Sequence, residues 1–161
     1  MLKIDKKILR LSIIILLALT ILHAKDPGIN AFYKGNYKKA GTYYEGRLNK
    51  DKENEKIMYN SGTTALAQND LEKANSLLMQ SLASENESQL AKAHYNLGQL
   101  VLQEQNTEEA LEHFIKSMIY DPDDPNSKIM YEHIRSMQQQ QEQEKKQDQG
   151  QDQGQDQGQD Q

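Results

Sequence analysis

Apolar residues in the middle of the chain recur at the three- and four-residue spacing of amphipathic helices. In AHYNLGQLVLQEQNTEEALEHFIKSMIYDPDDP, which starts at Ala93, two such runs are separated by a polar break at residues 105–107. A similar arrangement occurs in MYNSGTTALAQNDLEKANSLLMQSL, which starts at Met58. Because this spacing places apolar side chains on one helix face, each segment predicts two amphipathic helices that pack together.

Small residues repeat at fixed positions within these helix pairs. Three pairs consist of an alanine and a bulky residue one helical turn later. They recur at a nearly constant interval along the chain: Ala40 and Tyr44, Ala74 and Leu78, and Ala110 and Phe114. In addition, Gly62 precedes Ala74 by the same interval at which Gly98 precedes Ala110. Glycine inside a helix costs about 1 kcal/mol relative to alanine. Its recurrence therefore predicts a contact in which two helices approach closely.

The interval between these alanines is about 34 residues, and such a period with two helices in each unit is typical of tetratricopeptide repeats (TPRs). The pattern predicts an all-α solenoid of about three helical hairpins over residues 25–137, closed by a C-terminal capping helix. Pro122 is expected to end the third hairpin and belongs to the predicted repeat-packing set. The expected helices are 27–34, 37–49, 54–67, 70–83, 89–104, 107–120 and one from about 125 onwards.

Capping residues indicate where these helices begin. Asp26 and Asp124 each precede a proline, as expected for an N-cap followed by proline at the first helical position. Two pairs have the spacing of a capping box that opens a second helix: Asn69 with Glu72, and Asn106 with Glu109. The first hairpin should be the least stable, because its opening helix is short and Gly41 and Gly46 weaken its second helix.

The first 24 residues differ from the repeats. Four basic residues among the first ten precede the apolar run LSIIILLALTIL, which begins at Leu11, and the small residue Ala24 follows. This order is typical of a secretory signal peptide, and the run is shorter than the roughly 20 residues that span a bilayer. We predict a signal peptide or an uncleaved membrane anchor. The rest of the chain is then exported, either periplasmic or anchored in the inner membrane and facing the periplasm.

The last segment, residues 138–161, contains no apolar residue and repeats QDQG three times in succession. Such a segment cannot bury enough surface to offset the entropy lost on ordering, so a disordered tail is predicted. Its first part, through Lys146, is also compatible with a continuation of the preceding helix. The spaced aspartates do not indicate calcium binding, because calcium-binding β-helix repeats have a different period and an apolar position in each turn.

Composition and charge exclude several classes of function. The 161-residue chain has no cysteine, which excludes disulfides and thiolate metal sites. Its net charge is −5 and residues 1–24 contribute +3, so the remainder carries −8, which argues against nucleic-acid binding. His94, His113 and His133 belong to three different predicted helices, so packing or surface roles are expected. Since phosphate loops and nucleophile elbows are also absent from the sequence, we predict no enzyme, cofactor or metal site.

The first helices of successive TPR units line a shared concave face. The partner-binding residues expected there, counted from the glycine positions, are Phe32, Lys56, Tyr59, Asn60, Thr63, Lys92, Tyr95, Asn96 and Gln99. Aromatic side chains flanked by lysines predict a groove that binds a protein partner, with the tyrosines as anchors. The alternative is that Tyr59 and Tyr95 only pack between helices.

The segments FYKGNYKKAGTYYEGRL and AHYNLGQLVLQEQNTEEALEHFIKSMIYDPDDPNSKIMYEHI, followed by a Gln-rich run, resemble the BatC-type TPR proteins of Bat aerotolerance operons over roughly residues 27–145. The resemblance implies a non-enzymatic adaptor in a bacterial cell-envelope complex that contains membrane proteins with von Willebrand factor A domains. It also implies a link to stress tolerance, with membrane contact only through an uncleaved N-terminal segment.

A peptide-binding co-chaperone is the alternative function. Its groove would grip a C-terminal carboxylate through Lys92, Asn60 and Asn96. However, Tyr59 and Tyr95 occupy positions where such a clamp would want a cation or another residue. The sequence therefore favours the adaptor and leaves the co-chaperone open.

Overall fold

A computed structural model describes residues 26–155 of the chain, and side chains through Glu144. Seven α-helices and no strand occur in this range: α1 (Pro27–Tyr33), α2 (Tyr37–Leu48), α3 (Glu55–Ala67), α4 (Leu71–Ser81), α5 (Glu87–Gln103), α6 (Thr107–Tyr120) and α7 (Pro125–Gln155). The predicted bounds agree closely with these helices, apart from the end of α7. The predicted signal segment, residues 1–24, lies outside the described residues.

The helices pack in chain order as three hairpins, α1–α2, α3–α4 and α5–α6, and α7 packs against α6. The first helices of the second and third hairpins, α3 and α5, also contact each other. This arrangement confirms the predicted all-α solenoid with a C-terminal capping helix. None of the described helices combines the length and apolar character needed to cross a membrane.

Glycines lie where the two helices of a hairpin approach most closely. A Cβ added at Gly62 would lie 2.9 Å from Leu78 Cγ, and one added at Gly98 would lie 2.8 Å from Phe114 Cε1. Gly28 on α1, which the sequence analysis did not use, precedes Ala40 by the interval that the other two glycines keep from their alanines. An added Cβ there would lie 2.5 Å from Tyr44 Cζ. The short first hairpin therefore has the same close contact as the other two.

The repeated alanines and bulky residues fill the space between helices. All six are at most 2% exposed: Ala40, Tyr44, Ala74, Leu78, Ala110 and Phe114. Pro122 is different, because it is exposed in the turn between α6 and α7. Proline disfavours helical backbone in the preceding residue, and Asp121 is accordingly extended, with φ −142° and ψ 85°. Pro122 thus ends α6 and does not pack between repeats.

Polar side chains cap the helices, with one shift from the predicted positions. Asp26 Oδ1 accepts from Gly28 N at 2.8 Å, and Asn106 Oδ1 accepts from Glu109 N at 3.3 Å, as expected. Asn69, however, does not cap α4. It has a left-handed φ of 61° and ends the turn, and Asp70 is the cap. Asparagine tolerates this conformation better than most residues, which explains the shift by one position.

α7 is longer than predicted. In place of the disordered segment expected from residue 138, the backbone stays helical to Gln155, past Lys146. Glutamine, glutamate and lysine are good helix formers, and no proline interrupts them. Residues 139–144 are exposed, so this part of the helix has no packing partner among the described residues.

The outer face of α7 ends the stack. Glu132 follows Gly98 by one repeat length and therefore stands at the glycine position of a further unit. It is exposed, as are Lys128 and Arg135 on the same helix face. Charged side chains at all of these positions disfavour the close packing of another helix. A polar outer face is what a terminal capping element of a repeat protein requires.

Candidate interaction groove

A cavity of about 550 Å³, here called the groove, lies between α1, α3 and the first turns of α5. Six of the nine residues predicted to bind a partner line it: Phe32, Lys56, Tyr59, Asn60, Thr63 and Lys92. The groove therefore lies on the expected helices, although three predicted residues lie elsewhere and several lining residues were not predicted. Whether any of them binds a partner stays a prediction.

The α3 side of the groove follows directly from helix geometry. Lys56, Tyr59, Asn60 and Thr63 recur at the spacing of a helical turn, so they share the face opposite the contact with α4. The helix is capped by Asn54, whose Oδ1 accepts from Ile57 N at 3.1 Å. Burial raises the pKa of Tyr59 above its ordinary value, so its hydroxyl stays neutral at physiological pH.

The α1 side is held in place by a cluster of polar contacts around Asp26. Besides capping α1, Asp26 Oδ1 accepts from the Tyr44 hydroxyl at 3.2 Å. Burial, together with the negative charge of Asp26, raises the pKa of Tyr44 well above its ordinary value, so this hydroxyl remains a donor. The fixed helix presents Ile29 and Phe32 to the groove, and leaves Tyr33 at its edge, 84% exposed.

Three predicted partner-binding residues do not line the groove. Asn96 is buried and its Nδ2 donates to Thr63 Oγ1 at 2.9 Å, which joins α5 to α3. Gln99 Nε2 donates to the Tyr95 hydroxyl at 3.1 Å. The Tyr95 ring packs against Phe114, with ring centroids 5.8 Å apart. The placement of Tyr95 therefore agrees with the alternative in which it packs between helices.

The first turn of α5 supplies three lining residues that sequence reasoning missed: Asn86, Ser88 and Gln89. The helix was expected to begin at residue 89, but it begins at Glu87. Asn86 is its N-cap, and its Oδ1 accepts from Gln89 N at 2.9 Å. A signal was present in the sequence, because asparagine followed one turn later by glutamine has the spacing of a capping box.

The groove is cationic on one side although the chain is acidic. Lys56 and Lys92 line the groove, and none of its described lining residues carries a carboxylate. The N-cap Asn86 of α5 also belongs to the lining, and Glu87 in the first turn of this helix offsets the positive end of the helix dipole. The chain as a whole has a net charge of −5. The side chains that line the groove thus carry a net positive charge, although the chain as a whole is negative.

Two histidines that were predicted on different helices meet across the α5–α6 hairpin. His94 Nδ1 and His113 Nδ1 are 3.0 Å apart, and Tyr120 stacks on His94 with ring centroids 5.8 Å apart. Burial lowers the pKa of both imidazoles, that of His94 to about 4, with further contributions from nearby positive charge. His133 is exposed on α7. No group of three potential ligand residues within the described range is arranged to hold a metal.

Comparisons with solved structures identify the fold. No protein-family model matches the chain, and no curated protein matches it significantly. The TPR domain of Arabidopsis OM64 superposes with a TM-score of 0.63 at 16% identity, over 68% of this chain and 88% of that one. The first TPR of Spaghetti (RPAP3), bound to the HSP90 peptide SRMEEVD, gives 0.62 at 19% identity, over 68% and 86%.

A third structure is similar to the same extent. The second TPR domain of human RPAP3, in complex with the HSP70 peptide SGPTIEEVD, gives a TM-score of 0.59 at 19% identity, over 67% of this chain and 88% of that one. At such low identity these likenesses show the fold alone. The chain therefore has the fold of a TPR domain.

Proposed function

We propose that this TPR chain is a non-enzymatic adaptor that binds a segment of a partner protein in the groove. The observation that carries the proposal is the convergence of Phe32, Tyr59 and Lys92, from three different helices, on one cavity. Its volume of about 550 Å³ lies within the range of about 300–1,000 Å³ that is usual for ligand sites. Two of the similar TPR domains are complexes with peptides, which supports a protein or peptide as the partner.

The chemistry of the groove supports binding over catalysis. Its polar side chains are lysines, amides and hydroxyls, which donate and accept hydrogen bonds and attract negative charge. Thr64 lies at the groove, but its hydroxyl donates to Asn60 O at 2.7 Å and contacts no general base. Large half-buried aromatic rings are enriched at binding surfaces.

The cellular context that we propose is a bacterial cell-envelope complex linked to aerotolerance or stress resistance. The support is the signal-like segment at residues 1–24 and the resemblance to BatC-type proteins. The partners are then membrane proteins with von Willebrand factor A domains. A reporter that is active only in the cytoplasm, fused after Gln161, should give no signal. A bright signal would refute export.

Site-specific photo-crosslinking tests the groove as the binding surface. A photoreactive residue replaces Tyr33 at the groove edge or, as the matched control, Met79 on α4, which is 51% exposed. In intact cells the Tyr33 position should crosslink to a membrane protein with a von Willebrand factor A domain, and the Met79 position should not. Equal crosslinking from both positions, or crosslinking from Met79 alone, would move the binding surface away from the groove.

The co-chaperone is a second candidate, favoured by the RPAP3 complexes with HSP90 and HSP70 peptides. Lys92 and Asn60 line the groove as that function requires. Asn96, the third clamp residue, already donates its Nδ2 to Thr63. If the co-chaperone is correct, short peptides with a free C-terminal carboxylate should displace the partner, and the same peptides with an amidated C-terminus should not.

A further inference from the structure

We propose that the groove recognises an extended acidic segment that carries one apolar side chain, and that this recognition does not require a chain terminus. The inference rests on the proposed function and specifies the chemistry of the partner. It follows from the different character of the two sides of the groove, from one unpaired donor, and from the hydrogen bond that already occupies the amide of Asn96.

Charge complementarity selects the acidic character of the partner. Lys56 on α3 and Lys92 on α5 contribute to the same cavity from different helices, and both are exposed. The described residues that line the cavity offer no carboxylate to neutralise them. Through these two lysines an anionic segment is attracted to the groove and a basic one is repelled.

Gln89 provides a donor for such a segment. Its Nε2 is shielded from solvent and has no hydrogen-bond acceptor among the described residues, although the side chain lines the cavity. A shielded amide without an acceptor is unfavourable, so rotation of the Gln89 side chain towards a carboxylate or backbone carbonyl of a bound segment would satisfy it. This donor lies on the same helix as Lys92 and therefore on the cationic side of the groove.

The opposite side of the groove is apolar and aromatic. Ile29, Phe32 and Tyr33 of α1 line it. The Phe32 and Tyr33 rings meet edge to face with centroids 6.1 Å apart, and Tyr33 remains 84% exposed. A single apolar side chain of the partner, placed against this wall, would bury part of both rings.

One hydrogen bond at the groove explains why a chain terminus is unnecessary. Asn96 Nδ2 already donates to Thr63 Oγ1, so this amide is not available as a donor that fixes a terminal carboxylate in one orientation. The ammonium groups of Lys56 and Lys92 are flexible point charges, so they bind a side-chain carboxylate as readily as a terminal one. The specificity then comes from the pairing of negative charge with an apolar side chain.

Peptide binding to the purified full-length chain tests the inference by fluorescence anisotropy. The reference probe is an acetylated, amidated short peptide of glycine and serine with one leucine and two aspartates. We expect replacement of both aspartates by asparagine, or of the leucine by serine, to weaken binding about fivefold or more. The same peptide with a free C-terminus should bind within about twofold of the reference, and higher salt should weaken all aspartate peptides.

Matched variants test which side of the groove recognises aspartate and which recognises leucine. Lys56→Gln combined with Lys92→Gln should reduce the preference for aspartate, whereas Lys50→Gln combined with Lys128→Gln, outside the groove, should not. Tyr33→Ser should reduce the preference for leucine, whereas Ile129→Ser on α7 should not. All six side chains are exposed, so the variants are expected to fold, and circular dichroism melts verify this.

Three outcomes would overturn the inference in distinguishable ways. If the peptides show no preference for aspartate or leucine while the photoreactive residue at Tyr33 still captures a partner, the ligand chemistry is wrong and the adaptor function stands. If the groove position captures nothing and no peptide binds, both proposals fail. Binding that requires a free C-terminus would also refute the inference and would favour the co-chaperone.

Discussion

Replacement of a single glycine by alanine should have opposite effects at two helical positions, Gly98 and Gly46. Both lie inside α-helices, where alanine is favoured over glycine by about 1 kcal/mol. They differ in what the added methyl group would meet. At Gly46 on α2 no atom of the described residues lies within 4 Å of an added Cβ. At Gly98 on α5 three ring atoms of Phe114 would lie 2.8, 2.9 and 3.1 Å away.

These distances decide the sign of each effect. Gly46→Ala should raise the free energy of unfolding by about 0.5–1 kcal/mol, because it gains helix propensity and meets no neighbour. At Gly98 the same gain is opposed by an overpacking cost of about 1–3 kcal/mol. Phe114 is 0% exposed and packs against Tyr95, so its ring has little room to move. Gly98→Ala should therefore lower the free energy of unfolding by roughly 0–2 kcal/mol.

Urea unfolding of the full-length chain, followed by the helical circular dichroism signal, measures both variants. The two midpoints should move in opposite directions with unchanged m-values. Gly98→Ala combined with Phe114→Leu should cost less than the sum of the two single changes, because the smaller side chain leaves space for the methyl group. If Gly98→Ala stabilises the protein as much as Gly46→Ala does, the close approach of α5 and α6 is wrong.

Three further predictions test other parts of the fold. Burial lowers the pKa of His94 and His113 below the unfolded value, so the native state binds fewer protons than the unfolded state. The urea midpoint should therefore fall as the pH drops from about 6.5 towards 4. A flat profile would contradict the burial of these histidines. Asp26→Ala removes the α1 cap and the acceptor of the Tyr44 hydroxyl, so it should cost about 1–2 kcal/mol, with the largest loss of hydrogen-exchange protection in α1. Deletion of residues 147–161 should leave the melting temperature unchanged within about 1 °C, since the preceding turns of α7 are exposed; a larger drop would show that the tail packs on the repeats.

Local patterns in the sequence determined most of the architecture. The nearly equal spacings of Ala40, Ala74 and Ala110 identified the repeat, because the contact inside a helical hairpin needs a small residue at the same place in each unit. Helix bounds followed from apolar spacing and capping residues. The extension of α7 beyond Lys146 was not predicted, because a composition without apolar residues indicates disorder, while the same residues also favour helix.

Tertiary structure alone decided which side chains the groove contains. Tyr59 and Tyr95 occupy corresponding positions, yet Tyr59 lines the groove and Tyr95 packs on Phe114. His94 and His113 belong to different helices and meet at 3.0 Å. Periodicity specifies the face of a helix on which a residue lies, but not how neighbouring helices are offset along their axes. That offset depends on packing across the whole interface. The sequence pattern therefore predicted the concave face, while three-dimensional packing determined which positions on that face line the groove and which are covered by neighbouring side chains.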